Sequence, residues 1–167
     1  MNANLLFDFN VKTEDKTIEV RRVFAGGLDL VWKAWTSAEL LDQWWAPRPY
    51  RTETKSLNFQ ENGIWHYSML SPEGERHWCL AEYKAIEPLE KYVALDAFCN
   101  EQCEINTDFP RSLWTNIFTA DGDQTIVNIS ILYEKAEDVQ KIIELGFREG
   151  FTMAMGNLDE LLSDLTK

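Results

Sequence analysis

Towards the end of the chain, from Glu137 to Leu165, apolar or small residues recur every three or four positions. This spacing predicts one long amphipathic helix, with its charged residues on the opposite face. Gly146 and Gly150 lie one turn apart on the apolar face. Because a glycine inside a helix costs about 1 kcal/mol relative to alanine, we expect this pair to admit another element closely or to leave space beside its aromatic neighbours.

Ahead of this helix the hydrophobic pattern has a period of two, which is typical of strands. Two short helices interrupt it: one at Leu28–Trp35, and a second that begins at a capping box formed by Thr36 and Glu39 and ends before Pro47. Residues 1–16 are predicted to form an N-terminal extension or an extra strand. The strands are predicted at Leu5–Val11, Thr17–Phe24, Leu57–Phe59, Trp65–Met69, Arg76–Ile86, Tyr92–Phe98, Leu113–Thr119 and Thr125–Tyr133.

This order of elements predicts an α+β fold, in which an antiparallel sheet wraps the long C-terminal helix. The length of 167 residues and the 45% hydrophobic content predict one domain, over residues 1–167. A net charge of -12 argues against nucleic acid as a partner. The sequence shows neither a membrane span nor a secretion signal, so we expect a cytoplasmic protein.

Three cysteines, Cys79, Cys99 and Cys103, do not form the framework of a disulfide-rich protein. The spacing of Cys99 and Cys103 is neither that of a redox motif nor half of a recognisable zinc site. We therefore expect free thiols, no metal and no cofactor.

The segment Val23–Pro47, VFAGGLDLVWKAWTSAELLDQWWAP, resembles the opening of the START-like superfamily, also called SRPBCC. More narrowly, the chain is similar to the C-terminal domain of the activator of the ninety-kilodalton heat-shock chaperone. The same family is matched in the same order by Asn62–Gly63 with WHYSM, Ala85–Pro88, Leu145–Thr152 and Asn157–Leu162.

The resemblance covers nearly the whole chain from Thr17 onward, and it implies a helix-grip fold. In that fold a curved antiparallel sheet grips the C-terminal helix and leaves an apolar cavity between them. The segment Cys99–Pro110 is longer and more polar than the family pattern, and its role at the cavity mouth stays open.

The face of the last two predicted strands that points into this cavity follows from strand parity. A turn of two or four residues around Asp121–Asp123 places Asn116 opposite Val127 or Ile129. Asn116 is then an amide on an apolar face and needs a partner, which can be a backbone group, a water molecule or a ligand. The predicted inward residues are Trp114, Asn116, Phe118, Val127, Ile129, Ile131 and Tyr133.

The hairpin around Pro72, with its turn at Ser71–Gly74, is treated in the same way. Its bulky face is the predicted interior, and Glu82 shares that face unless a bulge in the strand turns it outward. A carboxylate there could serve as a general base; we expect the bulge. The inward set is Trp65, Tyr67, Met69, Trp78 and Leu80, and the solvent-facing set is His66, Ser68, His77 and Cys79.

The tryptophans of the helical pair are predicted to fill the core, with Trp35 or Trp44 alternatively at the cavity entrance. The complete predicted cavity lining is Trp35, Trp44, Trp65, Tyr67, Met69, Trp78, Leu80, Trp114, Asn116, Phe118, Phe147, Gly150, Phe151 and Met155.

Three functions remain open at this point. The first is binding of a small hydrophobic molecule between the sheet and the helix. The second, implied by the family, is a co-chaperone module with a chaperone as partner. The third is an enzyme of the cyclase or hydrolase kind that uses Asn116 and Glu82, although no catalytic motif is present and we expect binding rather than catalysis. Both a monomer and a homodimer are compatible with the sequence.

Overall fold

A computed structural model of the chain describes residues 6–166. Eight strands form one antiparallel sheet in the order β1-β2-β8-β7-β6-β5-β4-β3. The strands are β1 (Phe7–Lys12), β2 (Thr17–Phe24), β3 (Arg51–Leu57), β4 (Ile64–Leu70), β5 (Arg76–Glu87), β6 (Lys91–Phe98), β7 (Ser112–Asp121) and β8 (Gln124–Tyr133). The helices are α1 (Leu28–Thr36), α2 (Ala38–Trp44), α3 (Ala136–Glu144) and α4 (Phe147–Leu165).

The sheet curves around α4, and this arrangement confirms the predicted helix-grip fold. The buried face of α4 follows the apolar spacing of its sequence, with Phe151, Met155, Leu158 and Leu162 in the core. Its C-terminal half is also tied to β2 by an ion pair between Arg22 and Asp159. The extra strand at the N-terminus is present as β1, which pairs with β2 at the edge of the sheet; Leu5, the predicted start of that strand, lies outside the described residues.

The single helix predicted over residues 137–165 is two helices in the structure. Gly146 adopts a left-handed conformation with φ of 94°, and its backbone N–H donates to the Ile143 carbonyl at 3.0 Å. A left-handed glycine ends a helix at this position, so α3 stops and α4 starts in a new direction. The apolar spacing continues across the break because both helices pack on the same core, which is why periodicity did not reveal it.

Two smaller expectations also differ. The N-cap of α2 is Ser37 rather than Thr36, and no side chain caps the helix. The Thr36 hydroxyl instead donates to the Trp32 carbonyl at 2.8 Å. The strand β3 begins at Arg51, earlier than its hydrophobic residues indicate, because its polar side chains lie at the edge of the sheet.

The hairpin of β4 and β5 has the opposite parity to the predicted one. Leu70 pairs with Arg76, so the loop has five residues, Ser71–Glu75, instead of the four of the predicted turn. An odd loop shifts the register by one and moves every side chain of one strand to the other face. As a result Tyr67 is opposite Cys79 rather than opposite Trp78.

Trp78 and Leu80 therefore lie on the outer face of the sheet, and their predicted inward placement is wrong. Glu82 also lies on the outer face, as expected, but the hairpin register places it there. Glu82 is paired there with Lys84 at 3.2 Å. The expected bulge exists, but it lies between Tyr83 and Ala85, beyond Glu82, and does not determine where Glu82 points.

Candidate functional site

A pocket of about 320 Å³ lies between the inner face of the sheet and the junction of α3 with α4, partly open to solvent. Its walls come from β4 to β8, from the segment after α2, and from both helices. The lining residues are Trp45, Pro47, Tyr67, Met69, His77, Cys79, Asp96, Ala97, Phe98, Pro110, Ser112, Trp114, Tyr133, Ile142, Leu145, Gly146, Phe147, Gly150, Phe151 and Ala154.

Aromatic rings form the rigid part of the wall. Phe147 and Phe151 stack with their centroids 5.2 Å apart, and Trp114 meets the two rings edge-on at 6.0 and 5.5 Å. Next to this group, Trp45 donates its indole N–H to the hydroxyl of Tyr67 at 3.0 Å. Edge-to-face and stacked rings pack firmly, so the pocket is a preformed apolar space rather than a loose gap.

The space exists because the α3–α4 junction contributes small side chains where it faces the sheet. Gly146 and Gly150 both line the pocket, with Ala154 one turn further along α4. A Cβ atom built on Gly150 lies 3.6 Å from Cγ of Pro47, an ordinary van der Waals distance. The predicted consequence of the glycine pair, space beside the aromatic residues, thus matches the position of the pocket.

The floor of the pocket carries one row of polar side chains, at positions that are paired across three neighbouring strands. Asp96 of β6 pairs with Ser112 of β7, which pairs with Tyr133 of β8. Directly paired residues of antiparallel strands share a face, so all three side chains point inward. Ser112 accepts a hydrogen bond from the indole N–H of Trp114 at 3.0 Å, which fixes that ring.

Burial raises the pKa of the Asp96 carboxyl well above its usual value, and the charge of Arg111 opposes the shift. No group within residues 6–166 donates a hydrogen bond to this carboxyl. Asp96 is half-buried and lines the pocket. The carboxyl is therefore enclosed by protein and held closer to its neutral form than a surface aspartate.

The other titratable groups near the floor stay protonated at neutral pH. Burial raises the pKa of Cys79 to about 12 and holds the pKa of Tyr67 and of Tyr133 above the ordinary tyrosine value. A thiol with such a pKa is a poor nucleophile, because the thiolate is the reactive form. These side chains can donate hydrogen bonds to a bound molecule, but they are not activated for attack.

The segment Cys99–Pro110 folds into a loop that touches both sides of the sheet. The backbone carbonyl oxygen of Asn100 accepts a hydrogen bond from Nε2 of the His66 ring at 3.0 Å, on the outer face of the sheet. At the other end the Lys141 ammonium donates to the Asp108 carbonyl at 3.1 Å and lies over the Phe109 ring. Pro110 and Phe98 then border the pocket mouth.

Six of the predicted lining residues lie together in this pocket, namely Tyr67, Met69, Trp114, Phe147, Gly150 and Phe151. Six more are buried in the core and do not line the pocket: Trp35, Trp44, Trp65, Asn116, Phe118 and Met155. The remaining two, Trp78 and Leu80, lie on the outer face because the five-residue loop shifts the register of the β4–β5 hairpin.

The inward placement of Asn116 is confirmed: it pairs with Ile129 and is 1% exposed. Its side-chain oxygen accepts no hydrogen bond within the described part of the chain. Asn116 and Glu82 lie on opposite faces of the sheet and cannot form one site.

His66 and His77 also lie on opposite faces of the sheet. His77 and Cys79 face the pocket, whereas His66 does not. The predicted outward orientation is therefore wrong for His77 and Cys79.

Asp96 is the main residue that sequence reasoning missed. In β6 the residues Tyr92, Ala94 and Phe98 share its face, but the alternate set of Val93, Leu95 and Ala97 is equally apolar. Alternation alone therefore assigns the charged residue to the solvent side. Only the pairing of Asp96 with Ser112 places it inward.

Comparison with known proteins identifies the family. Residues 27–163 match the family described as "Activator of Hsp90 ATPase homolog 1-like protein". The chain belongs to this family. The resemblance read from the sequence is thereby confirmed, and no protein with curated annotation matches the chain.

Solved structures with the same fold come from several bacteria. Protein Ms6760 from Mycobacterium smegmatis is 25% identical over 95% of this chain and 96% of that chain, with a TM-score of 0.85. A protein from Arthrobacter aurescens is 22% identical over 94% and 91%, with a TM-score of 0.89. The AHSA1 protein from Silicibacter pomeroyi is 19% identical over 88% and 97%, with a TM-score of 0.69. Within residues 6–166, no helix is long and apolar enough to cross a membrane.

Proposed function

We propose that the protein binds a small hydrophobic molecule in the pocket between the sheet and the α3–α4 junction. The observation that carries the proposal is the apolar, aromatic-walled space of about 320 Å³. Small-molecule sites in proteins have volumes of roughly 300–1,000 Å³, so this pocket suits a compact ligand of one or two rings rather than a long lipid.

The direct test uses thermal shift with a panel of neutral aromatic and alicyclic alcohols. A ligand that binds only the native state raises the unfolding midpoint by mass action. We expect some of the panel to raise the midpoint of the wild-type protein in a saturable way. No saturable shift with any compound, together with no retained small molecule in native mass spectrometry of protein from its own host, would overturn the proposal.

A matched pair of variants on α4 locates the binding. Gly150→Leu places a side chain into the pocket beside Pro47, whereas a Cβ at Gly156 meets nothing within 4 Å. Both substitutions replace a helical glycine by leucine, so their effects on helix propensity match. Gly150→Leu should weaken ligand binding at least about tenfold, equivalent to 1.4 kcal/mol, and Gly156→Leu should leave it unchanged.

A second candidate is a co-chaperone activity, which the family match over residues 27–163 favours. Its test is stimulation of the ATPase of the purified ninety-kilodalton chaperone by the purified protein. Because this activity would use the surface rather than the pocket, Gly150→Leu should not change it.

The proposed place of action is the cytoplasm. Cys79, Cys99 and Cys103 are free thiols in the structure, as is usual for proteins of a reducing compartment.

A further inference from the structure

The pocket floor presents one carboxyl group, that of Asp96, to which no group of the described residues donates a hydrogen bond. Asp96 lies between Ala81 and Ser112 in the sheet and points into an otherwise largely apolar space. A buried ionised carboxyl is costly unless a cation or hydrogen-bond donors compensate for the lost water. Neutral apolar ligands do not need such a group, so its position requires a separate explanation.

The protein supplies little positive charge at this depth. His77 is the single basic side chain among the described lining residues, and it is an exposed residue at the end of its strand. Arg111 acts on Asp96 through its charge, but it does not line the pocket, and its guanidinium lies 3.9 Å from Glu82 on the outer face. The compensating charge beside Asp96 can therefore come from the ligand.

We propose that Asp96 binds the amino group of the ligand, so that the pocket takes a compact aromatic or alicyclic amine. The inference rests on the proposed ligand-binding function and adds the chemical class of the ligand. The amine lies at the floor against the Asp96 carboxylate, and the ring system lies against Trp114, Phe147 and Phe151. An ion pair in a water-poor pocket is stronger than the same pair at the surface.

Proton release accompanies this binding mode. Because burial raises the pKa of Asp96, the free protein keeps a proton on that carboxyl up to a higher pH than a surface aspartate does, and an ammonium ligand favours its release. The affinity for an amine therefore rises with pH until Asp96 is fully ionised. Burial raises the pKa values of Tyr67, Cys79 and Tyr133, which share the pocket with Asp96, so these side chains stay neutral. The Arg111 guanidinium acts on Asp96 through its charge from the outer face of the sheet. The variant His77→Gln tests whether His77 contributes to this pH dependence, and we expect the amine affinity of the variant to rise with pH as it does in the wild-type protein.

The experiment compares three probes that share a 1-naphthylmethyl group: the amine 1-naphthylmethylamine, the alcohol 1-naphthylmethanol and the carboxylate 1-naphthaleneacetate. Titration calorimetry at about 0.15 M salt limits long-range attraction by the net charge, since the Debye length is then about 8 Å. We expect the wild-type protein to bind the amine at least about tenfold more tightly than the alcohol, and the acetate most weakly. Repetition in buffers of different ionisation enthalpy should reveal proton release with the amine only.

Two variants test the role of Asp96 against general charge effects. Asp96→Asn should reduce the ratio of amine to alcohol affinity to about one, while the alcohol still binds. Glu82→Gln removes the same charge from the outer face of the neighbouring strand and should keep the wild-type ratio.

The outcomes separate the two proposals. If the alcohol binds but the amine binds no more tightly, or if Asp96→Asn keeps the preference, the amine inference is wrong and the pocket remains a neutral ligand site. If none of the three probes binds to the folded wild-type protein, the proposed function itself fails.

Discussion

The concave face of the sheet has two ends that are equally rich in aromatic residues but are filled differently. At one end α1 places Trp32 and Trp35 against Phe118 with ring centroids 5.0 and 5.9 Å apart. At the other end the α3–α4 junction faces the sheet with Gly146 and Gly150, and a pocket remains. The difference teaches that the hollow is produced by the helices and not by the sheet, because the strands run through both ends.

Polar groups divide in the same way. At the filled end Asn116 is enclosed by core residues, and its side-chain oxygen has no partner in the described part of the chain. At the hollow end Asp96, Ser112 and Tyr133 face a space that a ligand or water can enter. The filled end therefore contributes stability, and the hollow end is where we propose that a ligand binds.

The largest effect is expected from truncation at the filled end. Phe118→Ala removes a 4%-exposed ring from the aromatic cluster, and such a change costs about 3–5 kcal/mol of unfolding free energy. Phe147→Ala, at a half-buried ring beside the pocket, should cost less than half of that. Urea denaturation measures both; equal costs would show that the hollow end is packed as tightly as the filled end.

The break between α3 and α4 is the next test. Gly146→Ala forces a Cβ into the left-handed region at φ of 94°, which costs about 1–2 kcal/mol. Gly150→Ala is the control, because Gly150 is helical and its Cβ would make only an ordinary contact with Pro47. Thermal unfolding that shows Gly146→Ala to be as stable as wild type would mean that the helix can run straight through this position.

Asp96→Asn should raise stability at neutral pH. The folded-state pKa of Asp96 is raised, so the native state holds this proton more tightly than the unfolded chain does. The contribution of Asp96 to the free energy of unfolding is complete below the pKa of about 3.9 that an aspartate has in the unfolded chain. It is lost as the pH rises through the pKa of Asp96 in the folded protein. Asp96→Asn does not lose this stability. Its melting temperature should therefore exceed that of the wild-type protein by an amount that grows from about pH 4 upward.

Glu82→Gln is the control for that measurement, because Glu82 is paired with Lys84 on the outer face. A wild-type protein that becomes more stable than Asp96→Asn as the pH rises would show that the carboxylate is well compensated in the folded state.

The smallest effect concerns helix propensity on the exposed side of α4. Gly156→Ala meets no atom within 4 Å and should stabilise the protein by about 0.5–1 kcal/mol. Ligand binding should not change. A loss of stability would place this glycine in a close contact that the structure does not contain.

The fold was predictable because its signals are local and repeated. Period-two strands, two short helices and a long amphipathic C-terminal stretch are each visible in the sequence, and most strand bounds agree within a few residues. The break at Gly146 was not predictable from spacing, since a glycine on the apolar face is compatible with both a helix and a left-handed stop.

The site was less predictable, because it depends on register. The β7–β8 hairpin has an even turn, Asp121 pairs with Gln124, and its inward residues were assigned correctly. In the β4–β5 hairpin one additional loop residue reversed the assignment of Trp78, Leu80 and Cys79. Which end of the concave face stays hollow depends on packing between distant segments, and no local pattern reports it.

The most direct test of the account is the ¹H–¹⁵N spectrum of the tryptophan indole groups during titration with 1-naphthylmethanol. Trp45 and Trp114 line the pocket, while Trp35 and Trp44 are 1% exposed in the filled region. We predict saturable shifts of the Trp45 and Trp114 signals and unchanged Trp35 and Trp44 signals. Saturable shifts at Trp35 and Trp44 without change at Trp45 and Trp114 would contradict the proposal that the ligand binds at the hollow end of the concave face and not at the filled end.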